Sequence, residues 1–228
     1  MKFIIIGLGN FGVSLGEKLS RAGHEVIGVD KDITNVEANK EKLTHTICLD
    51  CKDVQATSIL PLKNTDVVIV CIGEDEGANL MATASMKKMN VKRLIVRATS
   101  PLHENILEAM GIEEIIHPEE ETANRWTKNI TMNRVVDSFC LSDEYGLIEA
   151  TVPEKFVGKT LVEARIKSEY EVVVLTKIKI SESENSIGVK RKVKTVEGVA
   201  SSTTVLDEND ILVMYGKLSD IKRLLKND

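Results

Sequence analysis

The 228-residue chain predicts an α/β fold, a doubly wound parallel sheet followed by a small α+β lobe. Three observations predict it. The apolar run Lys2-Phe3-Ile4-Ile5-Ile6 passes directly into Gly7-Leu8-Gly9-Asn10-Phe11-Gly12, a G-x-G-x-x-G turn. An acidic residue, Asp30, closes the next apolar run eighteen positions after Gly12. Strand-like and helical patterns then alternate in six steps as far as Pro118. A glycine turn with its strand, helix and carboxylate in register is the signature of a Rossmann-like nucleotide-binding sheet.

The elements follow in order. A strand is predicted at residues 2–7 and a helix at 11–22, with Phe11, Leu15, Leu19 and Ala22 on one face. Gly23 stops that helix, since glycine accepts the left-handed conformation past a helix end. A strand at 24–30 precedes a short helix to Leu43, which Thr34 and Glu37 open as a capping box. The third strand is predicted at 44–50, and Asp53 suits the cap of a helix ending before Pro61. The fourth, at 66–73, is apolar throughout, as expected where helices cover both sheet faces. A helix at 77–89, a strand at 93–98, a helix opened by Ser100 and Pro101, and a strand at 112–117 complete the lobe.

The pattern changes after His117-Pro118. One amphipathic helix at 119–133 leads into strand-like runs at 135–141, 147–152, 172–180, 190–196 and 211–215. Val157-Gly158-Lys159-Thr160-Leu161 enters a short helix to Lys167, and 220–225 reads as a terminal helix. Residues 181–188, rich in Ser, Glu and Asn, read as an exposed hairpin loop. The expected domains are 1–118, 119–134 and 135–228.

The glycines have separable tasks. Gly7 permits the tight turn, Gly9 lets backbone approach a diphosphate, and Gly12 lets the helix pack against the sheet. Phosphates then sit at the positive end of the helix opened by Phe11. Asp30 is placed to accept hydrogen bonds from ribose hydroxyls.

Composition narrows the class. The net charge of −5 argues against a nucleic-acid partner. No apolar run reaches the eighteen or so residues that cross a bilayer, so no direct membrane insertion is expected. The start lacks a secretory apolar segment, which predicts a cytoplasmic protein. Cys48 and Cys51 form a C-x-x-C, but Cys48 and Cys71 fall within apolar strands, and free buried thiols are expected throughout.

Several stretches together resemble the cytosolic regulatory subunits of Trk/Ktr-type potassium uptake systems, built from RCK domains. They are Ile5 to Gly12, Gly23-His24-Glu25-Val26, Val70-Cys71-Ile72-Gly73, Ile115-Ile116-His117-Pro118-Glu119, Leu141-Ser142-Asp143-Glu144-Tyr145 and Asp210-Ile211-Leu212-Val213. The resemblance implies a nucleotide-binding lobe, a crossover helix that pairs subunits, and a C-terminal lobe. It implies no enzyme but a gating subunit. Such a subunit is a homodimer assembling into a ring, typically an octamer, at the inner face of the cell membrane beneath an integral-membrane potassium transporter. ATP, ADP or NAD(H) is the implied ligand, accompanied by Mg2+ or Ca2+. Gly7, Gly9 and Gly12 are implied to hold phosphates, Asp50 to lie beside adenine, Gly73 to pass the nucleotide, and Arg97 to approach the phosphates. Glu119 is implied to organise a terminal phosphate or its metal ion. Their neighbours Asn10, Phe11, Lys31, Cys51 and Ile72 complete the expected contacts.

Two positions depart from the family pattern. Asn10 stands where many members carry an Arg that reaches a γ-phosphate, which favours NAD(H) or ADP over ATP. Lys167 stands at the family's cyclic-di-AMP arginine, and a point charge lacks the fork that arginine offers. Other readings stay open. Asp50 and Asp53 both suit helix caps. Glu119, Glu120 and Glu121 also complement a helix dipole. His117 suits a turn, and Asp137, Asp143 and Glu144 suit exposed turns as well as a cation site. Lys190-Arg191-Lys192-x-Lys194 reads as a charge-protected edge strand. The alternative function is an NAD(P)-dependent oxidoreductase, although no acid–base cluster accompanies the expected cofactor site.

Overall fold

β-Branched residues dominate the central strands of the first lobe, which are buried on both faces. In a computed structural model describing residues 1–184 and 190–226, β1 (Lys2–Ile6) leads into α1 (Asn10–Arg21), β2 (Glu25–Asp30) and α2 (Ile33–Ala38). Then come β3 (His45–Cys48), α3 (Val54–Thr57), β4 (Val67–Val70), α4 (Glu76–Lys88), β5 (Leu94–Arg97), α5 (Pro101–Ala109) and β6 (Glu114–Ile116). The strands form a six-stranded sheet in the order β3-β2-β1-β4-β5-β6, and the pairs are parallel. Ile4 and Ile6 face one core with Ala82, Met86 and Leu107. Phe3 and Ile5 face the other with Val36 and Leu43. The chain winds outward from β1 in both directions, so a crevice opens beyond the carboxyl ends of β1 and β4.

The caps explain several boundaries. Asp53 caps α3 through the N–H groups of Gln55 and Ala56, and Ser100 caps α5 through His103 N–H. The expected Thr34 capping box is corrected. Asp32 caps α2 by accepting from Thr34 N–H at 2.8 Å, and the helix ends at Ala38. A carboxylate two residues upstream reaches that N–H directly. The chain then turns through backbone hydrogen bonds such as Lys42 N–H to the Asn39 carbonyl at 3.1 Å.

Contacts divide the chain into Met1–Glu119 and Glu120–Asp228. α6 (Pro118–Thr131) is followed in the second unit by β7 (Val135–Cys140), β8 (Tyr145–Thr151), α7 (Leu161–Ala164), α8 (Ile166–Tyr170), β9 (Val173–Glu184), β10 (Lys190–Val196), β11 (Ile211–Lys217) and α9 (Leu218–Leu225). The antiparallel sheet has the order β10-β9-β11-β8-β7. Ile148, Ala150, Leu212 and Met214 pack on one face against Ile166, Ile221, Leu224 and Leu225. On the opposite face Phe139, Leu147, Tyr215 and Val173 lie in register across four strands.

Three further expectations change. Residues 181–184 belong to β9 rather than to the expected loop, and 185–188 lie outside the described residues. The single short helix to Lys167 breaks in two at Arg165, which adopts φ +48°. Cys48 is exposed rather than buried, as is Cys140, because β3 is an edge strand and β7 another. The Lys-rich β10 is the other edge of the second sheet, as its alternation predicts.

Candidate functional site

The glycine turn is built by steric exclusion. Gly7 adopts φ +99°, donates to the Val29 carbonyl at 2.8 Å, and has no room for a side chain beside Ile72 N. A Cβ on Gly12 would lie 2.0 Å from the Gly7 carbonyl oxygen. Gly9 has open space where a side chain would stand, and it begins α1 with no side-chain cap. The first-turn N–H groups of a twelve-residue helix are thus left for an anion. Asp30 is fixed from both sides. Its Oδ2 accepts from Leu8 N–H at 2.7 Å and its Oδ1 from Asp32 N–H at 2.8 Å. Each carboxylate oxygen keeps a second lone pair for a sugar hydroxyl.

Arg97 forms the opposite wall. Its guanidinium lies against Gly73, where a Cβ would approach Nη1 to 2.6 Å, and 5.6 Å from the Phe11 ring centroid. Nη1 donates to the Cys71 carbonyl at 3.4 Å, and Nη2 pairs with Glu119. Nε is buried with no hydrogen-bond partner. A cationic fork on this wall suits a phosphate oxygen through the second N–H that Nη1 and Nη2 each retain.

Between these walls lies a cleft of about 420 Å³, within the usual size range of small-molecule sites. Gly7, Gly9, Asn10, Phe11, Asp30, Lys31, Asp50, Cys51, Ile72, Gly73, Arg97 and Glu119 line it. Gly12 is absent from this lining, and the space where its Cβ would stand is taken by the turn, so it packs α1 onto Gly7. Asp50 is exposed and accepts from Lys52 N–H at 3.0 Å, while Asp53 does the capping. Sequence reasoning missed Asp32, Asn35, Lys52, Glu74 and Asp75. The signal was available, since Asp32 and Asp75 open helices that follow strands whose ends form the crevice. Six carboxylates and three cations, Lys31, Lys52 and Arg97, line the space.

The four cysteines are free thiols, and the buried member of the C-x-x-C lacks the lowered pKa of a redox nucleophile. Burial, helped by Asp50 and Asp30, pushes the Cys51 thiol up to about 12. Burial does the same at Cys71, with Arg97 opposing it, again to about 12. Both stay protonated at neutral pH. Among the described residues no three His, Cys, Asp or Glu side chains gather as a metal site. His117 sits 3.3 Å from Glu104, Asp137 pairs with Arg125, and Lys167 is exposed.

A parallel sheet in this strand order, with a glycine turn, an anchored carboxylate and an uncapped helix at its crevice, defines a Rossmann-type nucleotide-site protein. The TrkA-N domain family model matches residues 3–118. Over 225 residues the chain is 33% identical to Ktr system potassium uptake protein C of Bacillus subtilis (strain 168), covering 99% of this chain and 96% of that protein. Against Ktr system potassium uptake protein A of the same organism it is 28% identical over 222 residues, covering 97% and 94%. The crystal structure of the GsuK RCK domain superposes with a TM-score of 0.66 at 17% identity, covering 99% of this chain and 48% of that one. The GsuK channel bound to NAD gives 0.65 at 17% identity, over 99% of this chain and 39% of that one. The chain thus spans about half or less of those solved chains. It belongs to the TrkA-N family and, within it, to the Trk/Ktr-type subunits of RCK fold.

Proposed function

We propose that this protein is a nucleotide-binding regulatory subunit of a potassium transport system, a gate controller and not an enzyme. The observation that carries the reading is the crevice itself, with Asp30 anchored at one end and the Arg97 guanidinium at the other. End-to-end likeness to a Ktr potassium uptake protein supplies the biological setting. A nucleotide that binds two conformations unequally shifts their populations, and about 1.4 kcal/mol of differential affinity changes the ratio tenfold.

NAD(H) is the favoured ligand, ahead of ADP and ATP. Asn10 offers no charge to a terminal phosphate, and the carboxylates outnumber the cations around the cleft. A ligand with two phosphate charges meets less repulsion there than a triphosphate. GsuK, which shares the fold, has been solved with NAD. ATP would need a divalent ion to offset this field, and Glu119, whose Oε1 is already paired with Arg97, has its second carboxylate oxygen to offer that ion. The partner is an integral-membrane potassium-translocating subunit, and the protein works at the cytoplasmic face of the membrane. Among the described residues no helix is long and apolar enough to cross it. The proposed homodimer, paired through 119–134 and assembled into an octameric ring, is supported by large apolar side chains left in solvent. Trp126 and Ile130 on α6 are 56% and 76% exposed.

Calorimetric titration with ATP, ADP, NAD+ and NADH, with and without Mg2+, tests the reading. Tightest binding of NAD(H), together with altered potassium uptake on deletion, supports it. Absence of any nucleotide binding would sink it. Steady NADH oxidation with a small substrate would turn it into the oxidoreductase alternative.

A further inference from the structure

Asn79 is completely buried inside the first lobe, yet it sits on α4 and lines no part of the cleft. Its side-chain Nδ2 donates to the Ile72 carbonyl at 2.8 Å and to the Arg97 carbonyl at 3.1 Å. The amide oxygen accepts from Thr83 Oγ1 at 3.3 Å, and Thr83 is equally buried. The amide orientation is fixed by chemistry, since both backbone partners are acceptors and only the nitrogen end can satisfy them. Ile72 and Arg97 leave adjacent strands, β4 and β5, at the end where the crevice opens. β4 has ended before Ile72, and Arg97, the last residue of β5, pairs only with Ile116 of β6, so no β4–β5 ladder hydrogen bond spaces these two carbonyls: the last residues paired between those strands are Val70 and Val96. A single amide spans the gap.

We infer that Asn79 is a positioning residue for the phosphate side of the cleft, a role that rests on the nucleotide-binding reading above. Its two donors set the separation between the Gly73 backbone and the Arg97 guanidinium, which are already in contact. The adenosine side, formed by Asp30, Asp32, Asn35 and Leu49 to Lys52, hangs on β2 and β3 and has no hydrogen bond to Asn79. Loss of the clamp therefore loosens one half of the site and leaves the other. A small misplacement of a positioned charge is enough to weaken binding through it.

The test compares NAD+ and adenosine on wild type, Asn79→Asp and Thr83→Val, by calorimetry alongside thermal melting. Asn79→Asp replaces the doubly donating nitrogen with an acceptor oxygen that faces two carbonyls, so NAD+ affinity is expected to fall by about tenfold or more. Adenosine affinity should fall less than about threefold, because its contacts lie on the unaffected strands. Thr83→Val keeps the shape and removes only the hydroxyl that orients the amide. It gives a smaller loss with the same NAD+ selectivity, and it serves if the aspartate variant fails to fold. Equal losses for NAD+ and adenosine, tracking the fall in melting temperature, overturn the inference in favour of a purely structural clamp. Unchanged affinities in both variants overturn it as well. If wild type binds neither ligand, the nucleotide reading itself fails, a result no Asn79 variant can mimic.

Discussion

A methyl group on Gly12 has nowhere to go, because the atom it meets is the Gly7 backbone oxygen rather than the movable end of a side chain. Gly12→Ala is expected to destabilise the first lobe by about 1–3 kcal/mol and to abolish nucleotide binding, read from a denaturant midpoint and a titration. Asn10 carries the opposite expectation. Asn10→Arg adds a charge-assisted donor at the first position of α1, and ATP affinity should rise by about tenfold while adenosine affinity stays level. An unchanged ATP affinity would place the terminal phosphate away from that residue. The cysteines separate by environment. Alkylation at pH 8 should label Cys48 and Cys140 in the native protein, and Cys51 and Cys71 only after unfolding. The placement of the glycines and Asp30 was legible in the sequence, since their spacing falls within one strand–turn–helix unit. Arg97 was legible only through family resemblance, and Asn79 not at all, because its partners are 7 and 18 residues away.

Helix starts show how far local pattern reaches. Ser100 before Pro101 announced α5, and its hydroxyl both accepts from His103 N–H and donates to Glu76 Oε1 at 2.8 Å. Ser100→Ala is expected to cost about 1–2 kcal/mol, checked by chemical denaturation. Hydrogen bonds from Thr99 and from that serine also hold the Glu76 carboxyl below its ordinary range. Thr34 misled for a reason of the same kind, since a capping-box spacing was present but Asp32 lay nearer to the open N–H. The C-terminal short helices failed as one element because Arg165 takes a left-handed conformation, which neighbouring propensities do not announce. Strand ends in the first sheet were shorter than the apolar runs predicted. Apolar character persists into Cys71 and Ala98, which are buried beyond the last paired residue.

For the molecule as a whole, the ion cluster around Lys177 ties strand β9 to the chain leading into β11. Lys177 is 5% exposed and reaches Asp210 at 2.7 Å, Asp207 at 3.2 Å, Glu197 at 3.3 Å and the Val205 carbonyl at 2.9 Å. Lys177→Met strands the buried Asp210 carboxylate and is expected to destabilise the second unit by about 3–5 kcal/mol. Burial works against the charged ammonium, but the hydrogen bonds to Asp210 and Asp207 outweigh it and raise the pKa. A raised lysine contributes fully below its unfolded value of about 10.4, and that contribution is lost as pH rises through the higher folded value. The second unit of the wild type should therefore weaken above pH about 10.5, and Lys177→Met should lack that alkaline decline. Hydrogen exchange of β9 and β11 amides at pH 8 and pH 11 reads the difference for that unit alone.

Local pattern was enough for the six alternating steps, the glycine turn, the carboxylate that closes β2 and the change of architecture after Pro118, because each is written in residues a few positions apart. Family likeness added the setting in potassium transport. Tertiary packing was needed to fold Arg97 against Gly73 and Phe11 and to set one buried amide between β4 and β5. Those arrangements join segments distant in the chain, and close packing, not local pattern, selects which side chains meet there.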